Sequence, residues 1–502
     1  MNLARLLDDH VADYGDHDEV FFEGRWYTTG EQLDKAKRLG AGLQQLGVGP
    51  GDRVVVLLPN CPEVGISYWG SWRIGAAVTP VIFMLPPPEI HRILENSEAK
   101  VAITSPDFLA NLQKAAEGVD SLEHIVLVGE EPQPDTLAWS DLMGAGEAEI
   151  VDRDEDDLAA LLYTGGTTGA SKGVMLSHNN LEWTARTAAA ASELDPDSVG
   201  LLSLPLSHGF GLHVSIVGIL VRGRGVLLRW FDPNLMLDMI EEHKVERMAV
   251  VPTMLQLLLL TPLEERDLSS LRSITSGAAG LPGEVQRAFE ERVPNCKILQ
   301  GYGLTETSPT VAVQPPSSGE DGTRKIGSVG PVVDGVEVHI EGEDGAILGP
   351  DEVGEVTVKG PNVMLGYWRN PEATAEAIKD GWFHTGDMGK LDLAGNLYIV
   401  ERKKDLVIRG GFNVFPADVE GVLLKHPGIN EAAIVGRPSE RWGEEPVAFV
   451  VLSSTDVTPE EIMEYCHAEL AKYKIPAEIR PVPMIPKTPV GKIDKKELRT
   501  QL

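Results

Sequence analysis

Short apolar runs alternate with longer helix-like segments between residues 53 and 303, and this alternation constrains the fold more than any other feature of the chain. The predicted strands are residues 54–58, 101–103, 125–128, 201–204, 248–251 and 298–299. Helix signals, such as a capping serine or a proline in the first turn, mark residues 63–74, 88–97, 177–192, 233–243 and 282–292. The pattern is typical of βαβ units, and we expect an α/β region of two paired sheets over residues 1–325.

The pattern changes after Pro315. A loop rich in Gly, Pro and Ser leads into stretches of alternating polar and apolar residues at 336–340 and 355–359, which predict a small β-barrel-like subdomain over residues 326–400. A charged run from Glu401 to Asp405 follows, and the chain beyond it has the pattern of a compact mixture of strands and helices. We therefore expect a large domain of residues 1–402 and a small α+β domain of residues 403–502.

Composition limits the partners and the location. The chain has 502 residues and a formal net charge of -32, so nucleic acid and stable membrane insertion are not expected. Three cysteines without metal or redox spacing, and an acidic N-terminus unlike a signal or transit peptide, predict a cytoplasmic protein. The longest apolar stretch, residues 248–260, contains Pro252 and Gln256 and predicts a buried strand followed by a helix. A homodimer is left open.

Residues 163–173, with the sequence YTGGTTGASKG, form a loop rich in glycine and threonine between two predicted strands. Glycine lets backbone N–H groups approach an anion closely, threonine hydroxyls are further donors, and Lys172 adds a positive charge. The spacing does not match the P-loop, because Ser-Lys-Gly stands at 171–173 and a helix begins only near Ser177. The loop predicts a polyphosphate site, with a flexible hairpin as the alternative.

Five further motifs follow in order. They are LPLSHGFG at 204–211, QGYGLTET at 300–307, WFHTGD at 382–387, ERKKDLVIRGGFNVFPADVE at 401–420 and PKTPVGKID at 486–494. Together with the glycine-rich loop they resemble the ordered core motifs of the adenylate-forming superfamily, which includes acyl-CoA synthetases, peptide-synthetase adenylation domains and firefly-type luciferases. The resemblance spans nearly the whole chain, and within the superfamily we expect similarity to the medium- and long-chain fatty acyl-CoA ligases.

The resemblance implies a reaction in two steps, with ATP, Mg²⁺ and coenzyme A as its ingredients. A carboxylate attacks the α-phosphate of ATP to give acyl-AMP and pyrophosphate, and a thiol then takes the acyl group. Transfer of this kind depends on positioning and on charge neutralisation. By resemblance, the residues that hold the β- and γ-phosphates are Thr164, Gly165, Gly166, Thr167, Thr168, Gly169 and Lys172.

The QGYGLTET motif is implied to bind the nucleotide and its metal ion. Tyr302 is expected to lie against the adenine after a glycine turn, Thr305 to reach the α-phosphate, and Glu306 to bind Mg²⁺. Without the motif, Glu306 fits equally the start of a helix, where a carboxylate stabilises exposed N–H groups. By resemblance, Gly277, Ala278 and Ala279 form the opposite wall of the adenine and acyl pockets, and the motif's other nucleotide-binding residues are Gln300, Gly301 and Gly303.

Three motifs after residue 380 are implied to complete the site. Asp387 resembles the ribose-binding aspartate, since one carboxylate accepts hydrogen bonds from two neighbouring hydroxyls, and Arg402 matches a second ribose contact. Lys404 occupies the hinge position about which the small domain is implied to be mobile. Lys492 resembles the lysine of that domain that contacts the acyl carboxylate and the α-phosphate. The alternative for these basic residues is a solvated surface, where we also expect Lys487, Lys495 and Lys496.

His208 and the segment after Lys404 are implied to act on the acyl group and its acceptor. His208 resembles the histidine that borders the acyl pocket, with a structural histidine as the alternative. Its motif lacks the aspartate with which amino-acid-activating domains pair the substrate ammonium, so an amino acid is not expected. Arg409, Gly410 and Gly411 are implied to face the pantetheine arm when the small domain takes its second arrangement.

The segments implied to line the acyl pocket are mostly apolar or small and contain no Lys or Arg. They are residues 208–215, 251–255, 277–281 and 307–311. Burying a second carboxylate among them would cost roughly several kcal/mol, so a dicarboxylic acid is disfavoured. We expect a hydrophobic acid, a medium- to long-chain fatty acid first and an aromatic acid as the alternative.

Two other functions are weighed against an acyl-CoA ligase. A ligase that passes the acyl group to a carrier protein would carry an inserted segment, and the spacing here is too short for one. A non-catalytic nucleotide-binding protein is disfavoured by the joint presence of the five chemically active residues Lys172, Glu306, Asp387, Arg402 and Lys492. The chain departs from the common motifs at Gly165, where serine is frequent, and at Ser171 and Gly280, where proline is frequent.

Overall fold

The computed structural model describes residues 1–129, 133–164, 171–192, 198–316, 324–454, 456–488 and 491–502. Over these ranges the strands, numbered along the chain, are β1 Asp18–Phe22, β2 Arg25–Thr28, β3 Arg53–Leu57, β4 Ala77–Pro80, β5 Val101–Thr104, β6 His124–Leu127, β7 Leu137–Ala138, β8 Leu158–Thr164, β9 Lys172–Ser177, β10 Val199–Leu202, β11 Arg224–Leu227, β12 Arg247–Val250, β13 Ser273–Ser276, β14 Lys297–Tyr302, β15 Ala312–Val313, β16 Gly330–Pro331, β17 Glu337–Glu341, β18 Gly354–Lys359, β19 Gly366–Tyr367, β20 Ile378–Lys379, β21 Trp382–Leu391, β22 Asn396–Arg402, β23 Val407–Arg409, β24 Phe412–Val414, β25 Ile429–Ser439, β26 Gly443–Leu452 and β27 Glu478–Pro481.

The helices of the same ranges are α1 Arg5–Tyr14, α2 Thr29–Gln45, α3 Pro62–Arg73, α4 Pro87–Ser97, α5 Pro106–Ala116, α6 Trp139–Met143, α7 His178–Ala191, α8 Gly209–Leu220, α9 Pro233–His243, α10 Pro252–Leu259, α11 Gly283–Arg292, α12 Pro371–Ala377, α13 Pro416–Leu423, α14 Pro459–Glu469 and α15 Lys495–Thr500. Short 3₁₀ turns cover Leu263–Glu265 and Thr305–Thr307.

Local sequence signals explain where several helices begin. Thr28 and Glu31 form a reciprocal capping box at the start of α2, and Ser177 and Asn180 form one at the start of α7. Asp232 accepts hydrogen bonds from the N–H groups of the first turn of α9. Proline stands in the first turn of α3, α4, α5, α9 and α10, where its missing N–H costs nothing.

Two sheets with mainly parallel strands form the large N-terminal part. Sheet I has the order β19-β9-β8-β4-β3-β5-β6-β7, and sheet II has the order β15-β14-β13-β12-β10-β11-β1-β2. The prediction of paired α/β sheets is confirmed, and the predicted strand and helix at residues 248–260 are β12 and α10. In sheet I, β8 and β9 are antiparallel, and Thr164 pairs with Lys172 where the glycine-rich loop leaves the sheet.

The other two sheets are largely antiparallel. Sheet III has the order β16-β22-β21-β18-β17 with β20 beside β21, and sheet IV has the order β24-β23-β26-β25 with β27 parallel to β26. The last strand of sheet III ends at Arg402, and the first strand of sheet IV begins at Val407. The prediction of a mixed α/β fold with a β subdomain and an α+β segment is confirmed.

The carboxyl ends of the parallel strands of sheet II meet at one edge, where ligands bind in open α/β sheets. There β12 leads into Val251, β13 into Gly277 and β14 into Gly303. The glycine turn expected at residues 301–303 is wrong, because β14 continues through Tyr302 and pairs with β15. Gly303 is required for another reason: a Cβ there would lie 1.6 Å from the carbonyl oxygen of Pro309.

Candidate active site

One large cavity, of about 1330 Å³, lies among sheets I to III and the segment around residue 492. It brings together most of the described residues that the sequence predicted for the site. The members of that set on its wall are Thr164, Lys172, His208, Gly277, Ala278, Ala279, Gln300, Gly301, Tyr302, Gly303, Thr305, Glu306, Asp387, Arg402, Lys404 and Lys492. The predicted phosphate-loop residues Gly165, Gly166, Thr167, Thr168 and Gly169 lie outside the described residues.

A second predicted group lies away from the cavity. Arg409 donates a hydrogen bond from Nη1 to the carbonyl oxygen of Ile475 at 2.7 Å, and the N–H of Gly410 donates to the carbonyl oxygen of Trp442 at 2.7 Å. Neither these residues nor Gly411 is on the cavity wall. Their role was predicted for a different arrangement of the small domain, and it stays a prediction.

Asp387 lies between two partners at the junction of β14, β21 and β22. The hydroxyl of Tyr302 donates to Asp387 Oδ2 at 2.7 Å, and Arg402 Nε lies 2.7 Å from Oδ1. Asp387 is 3% exposed, and burial raises its pKa, while Arg402 and the Tyr302 hydroxyl oppose the rise. Burial and the neighbouring carboxylate also raise the pKa of Tyr302, which keeps the phenol protonated as a donor. Asp387 is therefore a buried carboxylate whose orientation is fixed by Tyr302 and Arg402.

Tyr367 joins the phosphate-loop lysine to the predicted metal ligand. Its hydroxyl donates to Glu306 Oε1 at 3.1 Å, and Lys172 Nζ lies 4.7 Å from the centroid of its ring, within cation–π range. Tyr367 lies on β19, which pairs with β9 of sheet I, so the backbone fixes its position next to Lys172. Its pKa is raised chiefly by burial, with Glu306 adding to the rise.

Lys492 reaches the cavity from the C-terminal segment. Withdrawal from water and the charge of Arg402 lower its pKa to about 8, while Asp387 and Glu306 oppose the fall. A Cβ at Gly491 would lie 3.2 Å from Thr253 Oγ1, so the loop that carries Lys492 contacts the start of α10. The amine therefore stands in the same cavity as the predicted nucleotide residues.

Two lysines near Lys492 differ in their environments. Lys495 was expected at the surface, and this is wrong: its side chain is 14% exposed, and Nζ lies 3.4 Å from Glu401 and 3.1 Å from Glu420. The acidic neighbours give the buried ammonium its partners. Lys487 is not on the cavity wall, and it pairs at 3.0 Å with Glu431, which is.

His208 caps α8 at the border between the polar and apolar parts of the cavity. Its Nδ1 accepts a hydrogen bond from the N–H of Phe210 at 3.3 Å, and burial, with Lys492 adding, lowers its pKa to about 3. A Cβ at Gly209 would lie 3.5 Å from Thr305 Oγ1, so α8 starts next to the predicted α-phosphate residue. The imidazole is thus neutral and held in place.

The apolar part of the cavity lies beyond His208. Apolar side chains of one cluster line it, namely Leu202, Phe210, Val214, Ala249, Val251 and Ala278. A Cβ at Gly277 would come within 3.2 Å of the Phe210 ring, so a larger residue there would press against that ring. That this apolar part holds the acyl group, as the sequence predicts, stays a prediction.

Two residues with a place in the site escaped the sequence analysis. Tyr367 lies in the run VMLGYWRNPEAT, which carries no charged cluster or glycine-rich loop to attract notice. His213 lies within a segment predicted to line the acyl pocket, but its contact with Thr310 depends on two segments 97 residues apart. The available signal for Tyr367 was an aromatic residue directly after glycine in a short apolar run.

Comparison with known proteins identifies the family. The profile described as AMP-binding enzyme matches residues 7–368, and that of the AMP-binding enzyme C-terminal domain matches residues 418–492. The chain belongs to the AMP-binding enzymes. This AMP-binding enzyme is 35% identical over 486 residues to a feruloyl-CoA synthase of Amycolatopsis sp, covering 95% of this chain and 94% of the relative.

Two further relatives agree with this assignment. The AMP-binding enzyme is 36% identical over 506 residues to 4-coumarate–CoA ligase 2 of Oryza sativa subsp. japonica, covering 95% of this chain and 88% of the relative. The crystal structure of an anthranilate CoA ligase in complex with anthranoyl-AMP superposes with a TM-score of 0.93 at 28% identity, covering 100% of this chain and 97% of that one. The predicted superfamily is confirmed.

The chain is an AMP-forming acid–thiol ligase. It activates a carboxylic acid with ATP to acyl-AMP and passes the acyl group to coenzyme A, with Mg²⁺ as the metal ion. No group of three metal-binding side chains occurs among the described residues, and Glu306 with its Tyr367 hydrogen bond fits a Mg²⁺ that phosphates and water mostly coordinate. None of the described helices is long and apolar enough to cross a bilayer.

Proposed function

We propose that this AMP-binding enzyme converts an aromatic carboxylic acid to its CoA thioester. The observation that carries the proposal is the cavity itself, in which the apolar cluster around Phe210 opens directly onto Thr305 and Lys492. The names of the relatives, which refer to ferulic, coumaric and anthranilic acids, favour an aromatic acid over the fatty acid that the sequence suggested first. The narrow approach of Phe210 to Gly277 supports a flat substrate.

The residue roles follow from the charges around the cavity. Lys492 offers an ammonium to the acyl carboxylate and the α-phosphate, and Thr305 donates its hydroxyl to that phosphate. Glu306 binds Mg²⁺, and Lys172 with Thr164 faces the β- and γ-phosphates. Asp387 and Arg402 bind the ribose hydroxyls, and Tyr302 positions Asp387 through the bond at 2.7 Å.

The carboxylate of the acid and the phosphates of ATP repel each other, and the proposed cationic residues offset this repulsion. Lys492, Arg402 and Lys172 all lie on the cavity wall and add positive charge to it. His208, which is neutral, borders the carboxylate without adding charge and leaves room for the thiol. The site therefore supplies position and charge rather than a covalent intermediate with the protein.

We also propose that residues 1–402 and 403–502 are separate domains and that Lys404 is the hinge. The change of sheet between Arg402 and Val407 supports this division. Burial and the charges of Arg402 and Arg499 lower the pKa of Lys404, while Asp405 opposes the fall. A rotation here would withdraw Lys492 and bring Arg409, Gly410 and Gly411 towards the cavity for the thioester step.

An acid panel tests the substrate proposal. Purified enzyme is incubated with ATP, Mg²⁺, coenzyme A and single acids, namely cinnamate, benzoate, their ring-substituted forms, octanoate and palmitate, and acyl-CoA is measured by mass spectrometry. We expect thioesters of the aromatic acids to form with the highest kcat/KM. Preferred turnover of the aliphatic acids would overturn the aromatic assignment.

A matched pair of variants tests the role of Lys492. Lys492→Ala should lose roughly a hundredfold or more in acyl-AMP formation, because the ammonium acts on charge that develops in the transition state. Lys487→Ala, on the same C-terminal loop but paired with Glu431, should retain wild-type rates. Equal effects of the two substitutions would contradict the assignment.

A further inference from the structure

Asn96 lies near the end of α4, and the proposed reaction steps do not use it. It is not among the described residues of the cavity wall. Its Oδ1 accepts a hydrogen bond from the hydroxyl of Tyr163 at 2.7 Å, and its carbonyl oxygen accepts one from Nε1 of Trp368 at 3.0 Å. These donors are 67 and 272 positions away along the chain, so one residue of α4 joins two distant segments.

The two donors hold the two ends of the glycine-rich loop. Tyr163 is the first residue of the loop and pairs with its last residue, Gly173, across the ladder of β8 and β9. The N–H of Trp368 donates to the carbonyl oxygen of Gly173 at 2.7 Å. Asn96 is therefore connected to the first end of the loop through Tyr163 and to the second end through Trp368 and Gly173.

Tyr163 and Trp368 also pack against the same glycine. A Cβ at Gly173 would lie 3.2 Å from Cζ of Tyr163 and 3.3 Å from Cβ of Trp368, so both side chains lie close to this residue. Burial raises the pKa of the Tyr163 phenol, while Arg53 opposes the rise. The hydroxyl therefore stays protonated and donates to Asn96.

Arg53 fixes the end of α4 that carries Asn96. Its Nε donates to the carbonyl oxygen of Ser97 at 2.5 Å, and its Nη2 donates to that of Glu98 at 3.0 Å. The last carbonyl groups of a helix have no partner within the helix, and a cation stabilises them. The guanidinium also lies 5.3 Å from the centroid of the Trp368 ring. The helix end is thus a well-supported attachment point for the loop.

The position of the loop ends matters for a triphosphate. Thr164 and Lys172 pair with each other just inside these ends, and both lie on the cavity wall. Fixing the ends of a loop reduces the conformational entropy that is lost when a ligand binds. Loss of this support should therefore weaken the binding of the β- and γ-phosphates. Binding of the adenine and ribose should change little, because other strands carry Tyr302 and Asp387.

We infer that Asn96 is a positioning residue: its hydrogen bonds with Tyr163 and Trp368 fix both ends of the glycine-rich loop, so that Thr164 and Lys172 face the β- and γ-phosphates of ATP. The inference rests on the proposed function, which assigns these phosphates to Thr164 and Lys172, and it adds the residues that hold the two in place.

The test compares the binding of ATP with that of AMP, which lacks the β- and γ-phosphates. Calorimetry with Mg²⁺ and without an acid measures both ligands, because no acyl-AMP then forms. Tyr163→Phe removes the hydroxyl and keeps the ring. We expect its Kd for ATP to rise by about fivefold and its Kd for AMP to stay within about twofold of wild type. In turnover, the KM for ATP should rise while the KM for the acid stays within about twofold.

Three further variants make the test specific. Asn96→Ala removes the same hydrogen bond from its other side, so the double variant Tyr163→Phe/Asn96→Ala should bind ATP within about twofold of the weaker single variant. Trp368→Phe removes the Nε1 donor and should raise the Kd for ATP by about threefold. The control Tyr398→Phe loses a hydroxyl that lies 3.4 Å from Asp392 in sheet III, and both constants should stay unchanged. Melting temperatures identify a variant that fails to fold, and the remaining variants then decide.

Lys172→Met separates the inference from the proposed function. It should raise the Kd for ATP by about tenfold and leave that for AMP unchanged. If it does so while Tyr163→Phe, Asn96→Ala and Trp368→Phe bind ATP as wild type does, or weaken ATP and AMP equally, the inference is overturned and the phosphate role of the loop stands. Multiplied effects in the double variant would also overturn it. If Lys172→Met binds ATP as wild type does, the phosphate role and the inference both fail.

Discussion

The hydroxyl of Tyr367 donates a hydrogen bond to Glu306 Oε1 at 3.1 Å, while the ammonium of Lys172 lies 4.7 Å from the centroid of the same ring. One side chain therefore touches the proposed metal ligand with its polar end and the proposed phosphate ligand with its face. The two contacts are chemically distinct, so they can be removed separately.

Tyr367→Phe removes the hydroxyl and keeps the ring. We expect the Mg²⁺ concentration for half-maximal activity to rise by about tenfold, because a hydrogen bond to a charged group is worth about 1.5 kcal/mol. Tyr367→Leu removes both contacts and should also raise the dissociation constant of ATP measured without metal. Calorimetry of nucleotide binding, with and without Mg²⁺, measures the effects on Mg²⁺ binding and on ATP binding separately and without turnover.

The control for this pair is Tyr398→Phe, which removes a hydroxyl that lies 3.4 Å from Asp392 in sheet III. Its Mg²⁺ dependence should match the wild type. If Tyr367→Phe and Tyr367→Leu gave the same Mg²⁺ and ATP constants, the separate roles of hydroxyl and ring would be wrong.

The lowered pKa of Lys492 predicts a pH dependence of the first half-reaction. Since the free enzyme holds this amine with a pKa of about 8, the ammonium is populated below that pH and is lost above it. We expect kcat/KM for ATP in acyl-AMP formation to fall as the pH rises through about 8, because kcat/KM reports the free enzyme. Lys492→Arg, whose guanidinium stays charged, should have lower activity without this alkaline limb.

The lowered pKa of Lys492 also makes the free energy of unfolding depend on pH. The folded pKa lies below the ordinary value of 10.5, so between about pH 8 and 10.5 the unfolded chain binds more protons than the folded chain at this site. Lys492 therefore contributes a free energy of unfolding that rises with pH across that window. Urea unfolding of wild type and Lys492→Met should diverge there, and parallel curves would contradict the lowered pKa.

Much of the fold could be predicted because local signals and tertiary structure agree. The predicted helix at 233–243 matches α9, and the predicted strand after Lys172 matches β9, since a proline, a cap or an apolar run fixes each one locally. The turn at 301–303 was predicted wrongly because β15, a partner from another segment, extends β14. Glycine signalled a close approach at Gly303, and the sequence does not distinguish that from a turn.

The candidate site was predicted less completely, because motifs name residues but not their partners. The motif around Lys492 did not indicate that Lys495 is buried between Glu401 and Glu420. Similarly, the bond from Tyr302 to Asp387 joins residues 85 positions apart, and only the folded chain brings them together. Contacts between distant segments leave no periodic signal in one sequence.

Gly303→Ala is predicted to be strongly destabilising. The added Cβ would lie 1.6 Å from the carbonyl oxygen of Pro309, and backbone on both sides must move to accommodate it. We expect a loss of about 3 kcal/mol in the free energy of unfolding, together with a higher KM for ATP because the neighbouring Thr305 and Glu306 shift. Gly280→Ala, where a Cβ meets nothing within 4 Å, is the control and should change stability by less than about 0.5 kcal/mol.

Lys495 ties the C-terminal segment to the large part of the chain. Its ammonium lies 3.4 Å from Glu401 at the end of sheet III and 3.1 Å from Glu420 on α13. Lys495→Met would leave two carboxylates without their shared partner in a poorly hydrated place, and breaking such a pair costs about 3 kcal/mol. Glu401 and Lys495 belong to opposite sides of the proposed hinge. Part of the lost free energy should therefore destabilise the domain arrangement in which Lys492 lies in the cavity.

We therefore expect Lys495→Met to slow acid-dependent ATP–pyrophosphate exchange by roughly tenfold, while thioester formation from supplied acyl-AMP changes by less than about twofold. Lys496→Met is the matched control, since that neighbouring side chain is exposed, and it should leave both half-reactions unchanged. The double variant Glu401→Gln/Lys495→Met should recover part of the exchange rate, because it removes one of the two unpaired charges. Equal slowing of the two half-reactions would mean that the ion pair stabilises the fold in general and does not favour the arrangement that forms acyl-AMP.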